Sequence, residues 1–193
     1  MAINLKKGQG INLTKAAPRL RIIRVGIGWD ITRVVAPCDL DVSAFVLKTV
    51  GGNPVCLSDE HFVFFNNLQS PEGFVTHTGD NRTGAGEGDD ETLKVDLGAA
   101  PLDAVEVSFI VTMHEAAARR QHFGMVQNAY LKVYNDETGE LLADYDLDEE
   151  FAGQTAVQIG SLFRTDNEWQ FQAVGAGYQR ELFDFVRGYG LDA

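Results

Sequence analysis

Strict alternation of apolar and polar side chains dominates this chain. In RIIRVGIGW, residues 21–29, Ile23, Val25, Ile27 and Trp29 recur at every second position. A period of two puts one row on a buried strand face and the other on the opposite face, and it does not suit a helix. HFVFF at 61–65, LKVDL at 93–97 and VEVSFIVTM at 105–113 have the same strand character. AYLKVY at 129–134 and ELLADYDL at 140–147 are joined by turn-forming NDETG, and TAVQIGSLFR and EWQFQAVG flank TDN, so both pairs are expected as hairpins. INLKK at 3–7 and INLTK at 11–15 are expected as a further hairpin around Gly8 and Gly10. Many strands at short spacing predict a mainly β fold, an antiparallel β-sandwich.

Helix is expected in two places. EAAARRQHF at 115–123 is rich in helix formers and is stopped by Gly124. Near the C-terminus, Leu182, Phe183, Val186 and Tyr189 form a stripe expected to pack on a sheet. No Pro- or Ser-rich linker interrupts the chain, so one domain is expected over residues 1–193.

Charge narrows the function classes. Sixteen Lys plus Arg against 28 Asp plus Glu leave a formal net charge of −12. Such a field repels nucleic acid and anionic lipid and attracts cations. The N-terminus lacks the continuous apolar core of a signal peptide, and no apolar run approaches the ~20 residues of a membrane span. A cytoplasmic protein without direct membrane insertion is expected. Cys38 and Cys56 match no zinc spacing and are expected as free, part-buried thiols.

The negative charge is concentrated. In CDLDVSAFVL, Asp39 and Asp41 alternate with Leu40 and Val42, so on a strand both carboxylates share one side, about 6.6 Å apart. An isolated Asp-x-Asp most simply marks a solvated outer face. Here it has company: Asp30 follows Trp29, Asn66 and Asn67 end FFNNL, and THTGDNRTGAGEGDDETLKV at 76–95 crowds five acids among four glycines. Hard oxygen donors in this number suit Ca²⁺, which takes about 6–8 oxygens, better than Mg²⁺, which keeps its waters. Arg82 and Ala85 stand where an EF-hand needs a ligand and a glycine, so the loop is not one. A phosphate cradle would need a cation where this segment has carboxylates.

Together GWD at 28–30, DLD at 39–41, FFNNL at 64–68, HTGDNRTGAGEGDDE at 77–91 and RRQHFGMVQNAY at 119–130 resemble the tellurium-resistance TerD family. The resemblance implies a calcium-binding β-sandwich associated with tellurite, phage and colicin resistance and with stress responses. It implies two Ca²⁺ ions held by Asp30, Asp39, Asp41, Asn66, Asn67, Asp80, Asn81, Asp89, Asp90 and Glu91. It also implies partners among other tellurium-resistance proteins at a membrane complex. The chain departs from the family pattern at Cys38, where Phe is usual, and at Glu115 and Glu150, where Asp is usual.

A non-enzymatic interaction module is the expected function. The alternative is a metal-dependent, phosphatase-like hydrolase using the acidic cluster, which would bridge ions roughly 3.5–4 Å apart. Ser43 has no evident base, His61, His77, His114 and His122 are scattered in sequence, and no nucleophile motif accompanies them. Reduction of tellurite would need better redox equipment than two cysteines without a CxxC context.

Overall fold

The alternating segments form two β-sheets in the computed structural model, which describes residues 2–31, 38–78, 88–147 and 151–192. In chain order the strands are β1 (Ile3–Asn4), β2 (Gly10–Asn12), β3 (Ile22–Ile31), β4 (Leu40–Val50), β5 (Asn53–Cys56), β6 (Phe62–Val63) and β7 (Val75–His77). There follow β8 (Glu91–Asp96), β9 (Glu106–Met113), β10 (Val126–Asn135), β11 (Leu141–Asp146), β12 (Ala156–Thr165) and β13 (Glu168–Tyr178). Three short helices accompany them: α1 (Leu13–Ala16), α2 (Ala116–Arg119) and α3 (Leu182–Gly188). The first sheet runs β1-β11-β10-β3-β8-β7, and the second runs β2-β13-β12-β9-β4-β5, with β6 also against β4.

Burial follows the alternation. Ile23, Val25, Ile27 and Trp29 of β3 join Leu131 and Val133 of β10 and Val107, Phe109 and Val111 of β9 in one core between the sheets. The outer face of the second sheet carries a smaller cluster, in which Phe45, Leu47 and Ile110 pack with Phe185 and Val186 of α3. Both expected long hairpins are present. Asp166 and Asn167 turn β12 into β13 with positive φ at both, the twist that tight two-residue hairpins need.

Four expectations are corrected. Residues 3–7 and 11–15 do not pair with each other: β1 runs parallel to β11 in the first sheet, while β2 is antiparallel to β13 in the second. Each segment covers the open edge of a different sheet, which satisfies more edge amides and carbonyls than a free hairpin would. The segment 61–65 is strand only at Phe62–Val63, because Phe64 and Asn67 exchange backbone hydrogen bonds in a tight turn. The helix expected over 115–123 is a single turn. Arg120 adopts φ 54, and the Gln121 amide closes back onto the Ala116 carbonyl at 2.9 Å, a Schellman end. On α3 the inward face is Leu182, Phe185, Val186 and Tyr189, and Phe183 is 62% exposed. The spacing i, i+3, i+4, i+7 selects Phe185 in its place.

The edge role of β2 is directly testable. A Cβ on Gly10 would meet the Phe171 carbonyl oxygen at 2.7 Å. Gly10→Ala is expected to destabilise by about 1–3 kcal/mol. Gly153→Ala adds a Cβ with nothing within 4 Å and is expected to stay within about 0.5 kcal/mol. Equal thermal midpoints for both variants would remove β2 from the edge of the second sheet.

Candidate metal centre

The inward row of β8 reads Glu91, Leu93, Val95, so alternation alone delivers a carboxylate to the interior. Glu91 is 2% exposed. Its Oε2 accepts a hydrogen bond from the Val42 amide of β4 at 2.6 Å. Val42 lies just beyond the short pairing of β6, which reaches only Ala44 and Phe45, so the carboxylate takes an amide that no strand covers. Asp90 does the same for the other sheet. The pairing of β3 with β8 ends at Ile27 and Glu91, and the next inward amide, that of Trp29, donates to Asp90 Oδ2 at 2.8 Å. Two successive acids thus cap strand ends in both sheets. Burial raises the pKa of Asp90, the charges of Asp30 and Asp89 raise it further, and the Trp29 amide opposes them.

Asp39 and Asp41 come to the same end of the sandwich at the start of β4, both 7% exposed. They are therefore not a solvated face. Asp41 shares the strand parity of Ser43, Phe45 and Leu47, the row under α3, whereas Leu40, Val42 and Ala44 face the core. Asp39 accepts the His114 amide through its carbonyl at 2.8 Å, and His114 Nδ1 lies 3.7 Å from Asp41 Oδ2. Asn66 lines the same cavity as Asp41 and His114. Asn67 spends its amide nitrogen on the Phe62 carbonyl at 2.7 Å and the Glu60 carbonyl at 3.1 Å, which holds the turn that presents Asn66.

The remaining members of the implied ligand set divide. Asp89 goes to the outer face of the first sheet, where its Oδ2 meets Arg24 Nη1 at 2.7 Å and its Oδ1 accepts from the Tyr134 hydroxyl at 3.3 Å. Gly26 permits this: a Cβ there would lie 2.2 Å from Asp89 Oδ2. Asp30 is exposed and accepts from Asn128 Nδ2 at 2.7 Å. Asp80 and Asn81 lie outside the described residues.

Two arrangements escaped the sequence reading, which took His61 and His77 as scattered. His77, 3% exposed, is inward by the parity it shares with Val75 on β7, and its Nε2 lies 3.8 Å from Glu91 Oε2. Parity was the available signal. The second is a line from Ser58 Oγ to His61 Nδ1 at 2.8 Å and from His61 Nε2 to Glu72 at 3.1 and 3.2 Å. It has the order nucleophile, base, acid, but the Ser58 hydroxyl donates to Glu60 Oε2 at 2.6 Å. Its hydrogen is committed to a carboxylate within a turn. Cys38 and Cys56 are free and buried, and burial raises both thiols, Cys56 to about 11.

Among the described residues, no three His, Cys, Asp or Glu side chains make a group that could hold a metal ion. The donor type is that of a hard cation: Asp39 and Asp41 on the α3 side of β4, and Asp90 and Glu91 at the start of β8, bring carboxylate oxygens to one end of the fold, two of these carboxylates already held by backbone amides.

Asp89 leaves a measurable mark on its neighbours. Burial, and then the Asp89 charge, push the Tyr134 hydroxyl up to about 12, with Arg24 opposing. A tyrosine raised in the folded state favours the protonated form, so this contribution to stability is present below the unfolded value near 10 and is lost as pH rises toward 12. Asp89→Asn is expected to lower the Tyr134 titration without returning it to the free value, since burial remains. Ultraviolet titration of phenolate checks it, and an unmoved curve would separate Asp89 from Tyr134.

Similarity to known proteins agrees with this architecture. The TerD domain matches residues 1–189. General stress protein 16U of Bacillus subtilis (strain 168) is 46% identical over 193 residues, covering 99% of this chain and 98% of that protein. Tellurium resistance protein TerD of Serratia marcescens is 45% identical over 194 residues, 100% of each chain. A crystal structure of a homologue of telluride resistance protein (TerD) from Streptomyces coelicolor A3(2) shares the fold, with a TM-score of 0.70 at 23% identity over 88% of this chain and 98% of that one. With relatives of this identity over full length, the chain belongs to the TerD domain family, a family of tellurium-resistance and stress-response proteins.

Proposed function

We propose that this chain is a calcium-binding, non-enzymatic interaction module of the stress response, working in the cytoplasm with other tellurium-resistance proteins at a membrane complex. The observation that carries the calcium reading is the end of the sandwich to which Asp39, Asp41, Asp90 and Glu91 are brought, with Asp39, Asp41 and Glu91 buried and Asp90 half-buried. A bound divalent cation would add positive charge beside four carboxylates brought to one end of the fold. Oxygen donors without thiolate suit Ca²⁺. The non-enzymatic reading is supported by the Ser58 hydroxyl being committed to Glu60 and by two high-pKa, buried thiols. No helix among the described residues is long and apolar enough to cross a membrane.

An ion bound only by the folded chain adds RT ln(1 + [L]/Kd), about 2.7 kcal/mol at a hundredfold excess. Thermal melts are expected to rise in Ca²⁺ over EDTA, with less effect from Mg²⁺. Asp41→Asn is expected to weaken calcium binding at least tenfold, about 1.4 kcal/mol. Glu140→Gln, in the exposed turn before β11, removes the same charge and is expected to leave affinity unchanged. Calorimetry compares the two variants. Identical midpoints in all three melts would sink the calcium reading, and equal affinities for both variants would reduce it to net charge.

A further inference from the structure

We infer that the groove between α3 and the Phe62–Phe65 turn docks a basic, apolar-faced peptide segment of a partner protein; this rests on the interaction-module half of the proposed function. The groove encloses about 650 Å³, inside the roughly 300–1,000 Å³ range of ligand sites. Its floor is a ladder of rings. Phe45 stacks on Phe62 at 4.4 Å, Phe62 on Phe64 at 4.2 Å, and Phe65 meets Phe64 edge-on at 5.1 Å. Phe183 and Leu191 form the α3 side, and Phe183 stands 62% exposed beside a ladder that could bury it further. Phe62 is buried and Phe64 and Phe65 are half-buried, so Phe183 is the exposed ring of an otherwise apolar groove, placed as an anchor for a contact.

Charge selects the occupant. Around the apolar floor stand Asp59, Glu115, Glu181 and Asp192, and no lysine or arginine is among the described residues lining the groove. Glu115 is paired with Arg119 at 3.1 Å, but Asp59 and Asp192 have no ion-pair partner among the described residues. Glu181 caps α3, so a neutral apolar ligand would leave Asp59 and Asp192 unused, and an acidic one would be repelled by the rim and by the net charge of −12. A segment with two or three large apolar side chains on one face and lysine or arginine on its flanks satisfies both parts, in the manner of a helix laid in a groove.

The test uses the full chain and a fluorescein-labelled 14-residue peptide of leucine and lysine at amphipathic helical spacing, with binding read by anisotropy in Ca²⁺ and in EDTA. Phe183→Ser and Phe65→Ser each keep the charge and are expected to weaken binding at least tenfold. Leu102→Ser, which removes a residue 90% exposed outside the groove, is expected to change nothing. A peptide with glutamate for lysine is expected not to bind. No loss with Phe183→Ser, or equal loss in all three variants, would show only attraction to net charge and overturn the groove. Sedimentation decides the other occupant: a parent chain that self-associates, and a Phe183→Ser variant that does not, would give the groove to a second copy. Phe183-dependent binding that is the same in Ca²⁺ and EDTA supports the groove and counts against calcium alone. A calcium-raised melting point with no Phe183-dependent peptide binding does the reverse.

Discussion

A carboxylate in the core-facing row of one sheet holds the backbone of the other. Glu91 accepts the Val42 amide at 2.6 Å, and its neighbour Asp90 accepts the Trp29 amide at 2.8 Å. Hydrogen bonds to charged acceptors contribute about 1.5–3 kcal/mol each, and leaving such an amide bare in the interior costs about as much. These two contacts set where β3, β4 and β8 end relative to one another. They also fix the electrostatic character of this end of the molecule, because the groups that cap the strands are themselves charged and close to Asp30 and Asp89.

Strand parity then sorts the acid run. Asp89, Asp90 and Glu91 are consecutive, yet they serve three places. Asp89 is on the outer face with Arg24 and Tyr134, Asp90 is at the strand end, and Glu91 is between the sheets. Gly26 makes the first of these possible by leaving room for the Asp89 carboxylate. The outer arrangement carries its own counter-charge, since Arg24 lies 2.7 Å from Asp89 and 3.6 Å from Asp136. The described contacts of Glu91 and Asp41 with charged groups are instead to His77 and His114, whose charge depends on protonation.

Alternation made most of this fold legible. The inward row of β3, the β10–β11 and β12–β13 hairpins and the β9 strand follow directly from period-two patterning. What patterning could not convey was partnership. INLKK and INLTK read as mates, but which open edge a short strand joins depends on β11 and β13, more than a hundred residues away. At the site, composition marked the acid run, whereas the diversion of Asp89 to the outer face depended on a contact with Gly26 across the β3–β8 pair. Asp-x-Asp also reads as solvated in isolation; its burial comes from packing around the start of β4, which no local window contains.

One strand joins the two functional regions. The row of β4 that begins with Asp41 continues through Ser43 to Phe45 and Leu47, so it runs from the carboxylate cluster into the aromatic ladder under α3. Asp41 and Asn66 border the groove from the side of the cluster. A cation held at Asp41 would compete with a partner's lysine for the same carboxylate. Basic flanks of a docked segment must then sit over the rim acids outside the ligand set, Asp59 and Asp192, with the apolar side chains directed at Phe62, Phe64 and Phe183.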